Sequence, residues 1–225
     1  MEVWAIALLT GSGFAAAAGL NAFIPVVIVG ALARFTDLIE LPDQLLWLQS
    51  WWVIAAGLLL LAGELVLDKI PGVDHINDLL QSIVRPVVGG ILFAATAAAE
   101  IQVQSDFWLE NAWLGGVVGA LITLGVHTGK AISRPAVNAA TGGTGAPLAS
   151  FAEDAISVAL CLIAVFLPVL VFVVFVLLAM SLYRVVTTGR RRRRRRALLE
   201  AEGRAEREAQ AEAGVKTSWW RGRWR

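Results

Sequence analysis

The chain has 225 residues, of which 57% are hydrophobic and only 16% are charged, with a formal net charge of +1. A soluble domain of this length is usually about half apolar and about a quarter charged, so the composition argues against a soluble enzyme or binding module. The mean hydropathy of +0.69 instead indicates a protein that lies in a membrane.

Charge divides the chain into two regions. Residues 1–189 carry six Lys and Arg against thirteen Asp and Glu, whereas residues 190–225 carry thirteen against five. We therefore predict a transmembrane helical domain over 1–189 and a basic cytoplasmic tail over 190–225, which is partly helical or disordered.

Two apolar blocks are longer than a single crossing needs. Residues 3–33 and 155–183 contain no Asp, Glu, Lys or Arg, whereas about 20 apolar residues span a bilayer. The first block would be about 46 Å long as one helix, so we predict a tilted or broken helix, interrupted at Asn21 and Pro25. In the second block, Pro168 is compatible with either one kinked helix or two short spans.

Between these blocks, apolar segments alternate with polar ones. The chain predicts a short amphipathic helix at 74–85 and three further spans, at about 47–67, 86–101 and 112–132. The Gly-rich stretch 141–147 lacks the Lys and Ser or Thr of a phosphate-binding loop, and we interpret it as a flexible connection.

Basic residues orient the spans, because cytoplasmic loops carry the excess of Lys and Arg. The arginines at 190–196 place the C-terminus inside, and the loop at 102–111, which has no Lys or Arg, lies outside. Basic residues at 69–85 and 130–134 agree with this only if the block around Pro168 forms two spans. The prediction is an all-α, polytopic transmembrane helix bundle of about six spans with both termini cytoplasmic.

Six spans can divide into two inverted three-helix repeats, a plan found in many transporters. The support is a pair of similar segments: Thr10-Gly11 and Asn21-Ala22 in the first span, and Thr128-Gly129 and Asn138-Ala139 after the fourth. Gly, Ala and Thr are common in any membrane helix, so the repeat is an alternative within the predicted bundle.

Ionisable residues within a bilayer cost roughly 2.5–3.5 kcal/mol each on insertion scales, so those near the predicted span ends are informative. Glu64 and Asp68 share a helical face, and a spacing of three and four residues aligns His127 with Lys130 and Arg134. The candidate substrate- or ion-binding residues are Asn21, Glu64, Asp68, Lys69, Asp74, Arg85, His127, Lys130, Arg134, Asn138, Glu153 and Asp154.

These residues allow two interpretations. In the first, they line a charged cavity on the inner side, where the basic residues hold an anionic group and the carboxylates gate it or carry protons. In the second, they are ion pairs that hold helix ends together. Asn21 and Pro25 likewise mark either a coordinating break or a simple kink, and His127 is either a packed histidine or a proton relay.

The tail differs in character from the rest of the chain. Its basic and aromatic residues favour an anionic membrane surface, and nucleic acid is the less favoured partner. The predicted lipid-surface residues are Arg190, Arg191, Arg192, Arg193, Arg194, Arg195, Arg196, Trp219, Trp220 and Trp224. The sequence leaves a homo-oligomer open.

The polar segments resemble those of a known bacterial membrane protein family, domain of unknown function 4126. The resemblance covers about residues 5–186 and rests most on Glu64 and on the run from Asp68 to Asp74, Asp68-Lys69-Ile70-Pro71-Gly72-Val73-Asp74. Further matches are Gly19-Leu20-Asn21-Ala22-Phe23-Ile24-Pro25, Leu32-Ala33-Arg34, Ser50-Trp51-Trp52-Val53, Asn77-Asp78, Val84-Arg85-Pro86, His127-Thr128-Gly129-Lys130, Arg134, Asn138, Ser150 and Glu153-Asp154. The family usually has a Pro-rich segment where this chain has 141–145. The resemblance implies a multi-span membrane protein and no particular activity.

Function is therefore predicted from the charged residues. We expect a multi-pass protein of the bacterial inner (plasma) membrane, a small transporter or flippase for an ion or anionic substrate. The alternative is a structural or assembly protein whose charges only lock helices together. The sequence has no pattern of catalytic residues or metal ligands, so we expect no enzymatic activity, cofactor or metal.

Overall fold

The computed structural model describes residues 3–67, 74–99, 106–141, 145–180, 183–184, 187–189, 194–195 and 198–199. Side chains are left out at residues 3–4, 67, 74–79, 106, 109, 135–138, 140 and 146. The described residues are helical apart from short connections and form no β-strand longer than a single bridge. Two compact units, 1–176 and 177–225, divide the chain.

Eight α-helices and one 3-10 segment follow one another between residues 3 and 180 of the described chain. The 3-10 segment, Asp43–Gln49, precedes α3. The helices are α1 (Val3–Leu20), α2 (Phe23–Phe35), α3 (Trp51–Leu67), α4 (Asp74–Ala98), α5 (Asp106–Glu110), α6 (Ala112–Thr141), α7 (Ala146–Phe166) and α8 (Pro168–Met180). The predicted all-α helical bundle is thus confirmed.

Helix α1 lies at the centre of the first unit. Five consecutive residues, Phe14 to Ala18, are at most 1% exposed. Consecutive helical residues point in all directions, so neighbouring helices must cover α1 on every side. Its small side chains allow that close packing.

Helix α1 runs parallel to α6. The hydroxyl of Thr123 donates to the carbonyl of Ala15 (2.7 Å), and Lys130 Nζ donates to the carbonyl of Leu20 (3.1 Å). Residue numbers therefore increase together along the two helices. Helix α6 also continues unbroken past Asn138. Equivalent helices of inverted repeats run in opposite directions, so the suggested correspondence between these two segments is not observed.

The first apolar block is two helices, separated at Asn21 and Ala22. Helix α2 packs against α3 in the opposite direction: a Cβ on Gly30 would lie 3.1 Å from Ile54 Cγ1, and one on Gly57 would lie 2.9 Å from Val27 Cγ2. The predicted interruption of the block is therefore present, close to its predicted position.

Helix α4 contacts both α1 and α3. It meets α3 at the ion pair between Glu64 and Arg85. It runs opposite to α1, because Arg85 reaches the carbonyl of Gly19 and Ala97 lies against Gly11. Residues 3–33 form two helices, which agrees with the predicted broken helix, and the number of crossings they make stays a prediction.

The block around Pro168 also divides. Helix α7 ends at Phe166, and α8 begins after the non-helical Leu167. A Cβ on Gly13 would lie 2.6 Å from Ala164 Cβ and 3.1 Å from Val171 Cγ2. Residues seven apart in a straight helix are separated by about 10 Å, so the chain must bend sharply between them. This geometry favours two helices over one kinked helix.

Fewer helices are long enough to cross a membrane than the six spans that the sequence predicted. Among the described residues, three helices are long and apolar enough to cross a membrane, and a fourth if the 3-10 segment and α3, bent by 54°, count as one. The predicted short helix at 74–85 and the predicted span from 86 are one helix, α4, with Pro86 inside it. Pro86 lies in the middle of α4 and removes one backbone hydrogen bond, and membrane helices tolerate such a proline where neighbouring groups satisfy the freed carbonyl.

Candidate functional site

Polar side chains from four helices, and Asn21 from the break between α1 and α2, gather where α1 ends. We define the polar cluster as Asn21, Glu64, Gln81, Ser82, Arg85, His127, Lys130, Arg134, Glu153 and Asp154. Six of these residues are at most 8% exposed, namely Asn21, Glu64, Gln81, Arg85, His127 and Lys130. Charged groups that are buried this deeply require partners, and the partners define the site.

The carbonyl end of α1 is the first partner. The last four carbonyls of a helix accept no hydrogen bond from within that helix, and the helix dipole makes this end negative. Arg85 Nη1 donates to the carbonyl of Gly19 (3.3 Å), and Lys130 Nζ donates to that of Leu20 (3.1 Å). Ser157 donates to the carbonyl of Ala17 (3.0 Å). Two cations thus cap the end of α1 inside the protein.

Asn21 joins the two helices at the break. Its Oδ1 accepts from the backbone nitrogens of Phe23 (3.0 Å) and Ile24 (3.2 Å), which are among the first amides of α2. Its Nδ2 donates to Oδ1 of Asp154 on α7 (2.9 Å). One side chain therefore satisfies the start of α2 and ties it to α7.

Arg85 has a partner for every nitrogen of its guanidinium. Its Nη2 donates to Oε1 of Glu64 (2.9 Å), and its Nε donates to Oε1 of Gln81 (3.2 Å). Its Nη1, which also reaches Gly19, lies 3.2 Å from Nδ1 of His127. Because the side chains of Arg85 and Glu64 are only 1% and 2% exposed, this is the innermost part of the cluster.

These contacts determine the protonation of His127. An arginine nitrogen can only donate, so Nδ1 of His127 must accept from Arg85. The imidazole is then neutral and carries its proton on Nε2, which lies 3.1 Å from Oγ of Ser82. Of the two interpretations of this histidine, the contacts favour a packed, hydrogen-bonded side chain.

The partly exposed part of the cluster has a different arrangement. Lys130 Nζ lies 2.7 Å from Oε2 of Glu153, and Arg134 Nη2 lies 3.1 Å from the same oxygen. Both cations come from α6 and converge on one carboxylate of α7. The side chains of Arg134 and Glu153 are 21% and 15% exposed, so this is the more exposed side of the cluster.

Formal charge balances within the cluster. Three cations, on Arg85, Lys130 and Arg134, face three carboxylates, on Glu64, Glu153 and Asp154. A neutral total is the arrangement that a low-dielectric interior tolerates best. Arg85, Lys130 and Arg134 each contact a carboxylate directly, so a ligand would have to replace one of these partners.

The model of the family described as "Domain of unknown function (DUF4126)" matches residues 8–188, most of the chain. The chain belongs to this family. No curated protein and no solved structure gave a significant match. Every residue of the polar cluster lies inside the matched region. Residues 190–225 lie outside it.

Most of the site residues predicted from this family member's sequence come together. The cluster contains eight of them: Asn21, Glu64, Arg85, His127, Lys130, Arg134, Glu153 and Asp154. Asp68, Lys69, Arg190, Arg191, Arg192, Arg193, Arg196, Trp219, Trp220 and Trp224 lie outside the described residues, as do the side chains of Asp74 and Asn138. The described tail arginines, Arg194 and Arg195, are exposed.

Sequence reasoning missed the uncharged members of the cluster. Gln81 precedes Arg85 by four residues, a helical spacing that could have identified it. Ser82 and the carbonyls of Gly19 and Leu20 gave no such signal, because their partners lie on other helices. Within the described part of the chain, no group of three or more His, Cys, Asp or Glu residues could hold a metal ion.

Proposed function

We propose that this protein is a membrane transporter for an anionic substrate, which binds at the polar cluster. The observation that carries the proposal is the convergence of Lys130 and Arg134 on one oxygen of Glu153, at the partly exposed side of the cluster. Two cations that share one carboxylate oxygen form a site in which an incoming anion can compete with that carboxylate.

The cost of the buried charges supports a functional role. An ion pair buried in a protein is often no more stable than well-packed apolar residues of the same volume, so stability alone rarely explains one. Within a bilayer, ionisable residues that face the bundle interior commonly mark the path of an ion or substrate. The network from Glu64 to Glu153 fits that pattern.

The break between α1 and α2 supports a transport role, in which the backbone near the site changes conformation. Transporters commonly place substrate at interrupted helices, where helix ends supply partial charges and the backbone can change direction. Here the same two cations that cap α1, Arg85 and Lys130, also bind the carboxylates of the cluster. If Arg85 or Lys130 lost its carboxylate partner, the balance of charge at the end of α1 would therefore change.

The test is anion flux into liposomes that contain the purified full chain, with labelled acetate and labelled inorganic phosphate as probes. We expect uptake of at least one probe and a loss of more than tenfold in Arg134→Gln. Arg184→Gln, the same substitution at an exposed arginine, is the matched control and should transport normally. Equal flux in empty liposomes and in liposomes with protein would refute the proposal.

A structural role is the second candidate, and a specific observation favours it. The cations of the cluster cap carbonyls of α1 as well as pairing with carboxylates, so they hold five helices together. In that case Glu64→Ala should lower the free energy of unfolding by roughly 3–5 kcal/mol, because it leaves the buried guanidinium of Arg85 without its carboxylate partner. Arg134→Gln would then lower thermal stability in detergent without any flux to lose.

For the tail we propose a cytoplasmic position on anionic lipid of the bacterial inner membrane. Clustered arginines near a membrane each contribute about 1 kcal/mol of attraction to anionic headgroups. A chain truncated after Gly189 should retain its melting temperature in detergent, since residues 177–225 form a compact unit of their own. It should also lose salt-sensitive binding of anionic vesicles, and unchanged binding would contradict the proposal.

A further inference from the structure

We propose that Glu153 occupies the substrate's own position, so that the substrate is a small monocarboxylate and its binding is coupled to protonation of Glu153. This inference rests on the proposed function of the polar cluster. Its starting observation is geometric: a carboxylate from the protein lies between two cations, 2.7 Å from Lys130 Nζ and 3.1 Å from Arg134 Nη2, at the exposed side of a charge network.

The shape of the site argues for a carboxylate. Glu153 presents one oxygen to both cations, and a substrate carboxylate can make the same contacts without any change in Lys130 or Arg134. Lys130 is also held by the carbonyl of Leu20, so its ammonium group stays in place when its partner changes. The protein's side chain thus shows which chemical group the cations accept.

Charge balance argues for the proton. The described cluster is neutral with Glu153 ionised, and an added monoanion would leave it with one uncompensated negative charge in a low-dielectric environment. Neutrality returns if Glu153 takes up one proton as the substrate carboxylate replaces it on Lys130 and Arg134. Release reverses the step: the substrate leaves as a carboxylate, and Glu153 gives up its proton and rebinds the two cations.

Other charged groups near Glu153 already have partners. Asp154, its neighbour on α7, binds Asn21 at the helix break, and Arg85, behind Lys130, binds Glu64. The groups from α6 that face Glu153 are both cations, Lys130 and Arg134. Of these carboxylates, Glu153 is therefore the one whose protonation would empty the site for another anion.

The experiment measures acetate binding to the purified full chain by calorimetry between pH 6 and pH 8, where acetate stays ionised. For the wild type we expect a Kd that rises about tenfold per pH unit, the slope for one coupled proton. In weak buffer, about one proton should be taken up per acetate bound. Glu153→Gln should bind acetate at least tenfold more tightly at pH 7, with no pH dependence and no proton uptake.

Glu110→Gln is the matched control, since it removes a carboxylate at an exposed position of α5, and it should behave as the wild type. The inference is overturned if no acetate binds, if the wild type binds it without proton uptake, or if Glu153→Gln keeps the pH dependence. Phosphate binding in place of acetate would overturn the carboxylate class. The wild-type proton count needs no variant, so the test survives if Glu153→Gln fails to fold.

The two experiments distinguish failure of the Glu153 inference from failure of the proposed transport function. Coupled acetate binding without flux into liposomes would refute transport and leave the Glu153 inference standing. Flux of either probe that is lost in Arg134→Gln but independent of pH in the wild type would support transport and refute the coupling.

Discussion

At the scale of single residues, the end of α1 is where backbone and charge depend on each other. Gly19 and Leu20 supply carbonyls that α1 cannot use, and Arg85 and Lys130 supply cations that need acceptors inside the bundle. Each group lowers the cost of burying the other. This explains why the charged residues lie at the helix break and not elsewhere along α1.

Asn21 is the residue whose loss we expect to damage this arrangement most directly. Asn21→Ala removes the acceptor for the amides of Phe23 and Ile24 and the donor to Asp154. Loss of a helix cap costs roughly 0.5–2 kcal/mol, and leaving Asp154 without this donor adds to it. The melting temperature in detergent should fall clearly below that of the wild type.

Asn111→Ala is the matched control for this substitution. The side chain of Asn111 makes an exposed hydrogen bond to the carbonyl of Phe107 within its own region of the chain (2.9 Å). Its removal should change the melting temperature little. Equal losses in the two variants would show that Asn21 has no special role at the break.

At the scale of helices, glycine sets the distance between α4 and α6. A Cβ on Gly90 would lie 2.6 Å from the carbonyl oxygen of Gly116, and a Cβ on Gly119 would lie 2.5 Å from that of Gly89. The two backbones therefore touch directly, as in other membrane helix pairs with small residues at the contact. This close packing brings His127 of α6 within reach of Arg85 and Ser82 of α4.

Gly90→Ala tests that contact. The added methyl group meets a backbone atom that cannot move alone, so the helices must separate, at a cost of roughly 1–3 kcal/mol. Gly125→Ala is the control, because nothing lies within 4 Å of a Cβ at that position of α6. We expect a lower melting temperature only for Gly90→Ala, and an unchanged one would argue against direct backbone packing.

At the scale of the whole molecule, the helix directions change the expected topology. Helix α1 runs parallel to α6, so its start lies on the same side as the start of α6 and opposite to the end of α6. The charge rule predicts that the 102–111 loop, just before α6, lies outside. Taken together, these predict an N-terminus on the outside, in contrast to the cytoplasmic position expected from the sequence.

Reporter insertions can decide between these topologies. A phosphatase fused ahead of Met1 should be active, whereas one inserted after Gly143 should be inactive, because we expect the first site outside the membrane and the second inside. The comparison between the two sites is the control, since both report on the same folded chain. Reporters on the same side would contradict the parallel packing of α1 and α6.

The sequence alone determined the membrane setting, the helical class and most of the polar cluster. Hydropathy, helical spacing and the cost of burying charge are local properties, so they identified Glu64, Arg85, Lys130 and Glu153 without knowledge of the fold. They also located the interruptions near Asn21 and at Pro168.

Only the tertiary structure decided how these residues combine. Lys130 meets the carbonyl of a residue 110 positions away, and Asn21 meets Asp154 across 133 positions. Such contacts depend on the relative directions and separations of distant helices, which α1 and α6 show by running parallel where an inverted repeat would oppose them. The contact between Asn21 and Asp154, the neutral His127 and the two cations on Glu153 all follow from that packing, and no local pattern could predict them.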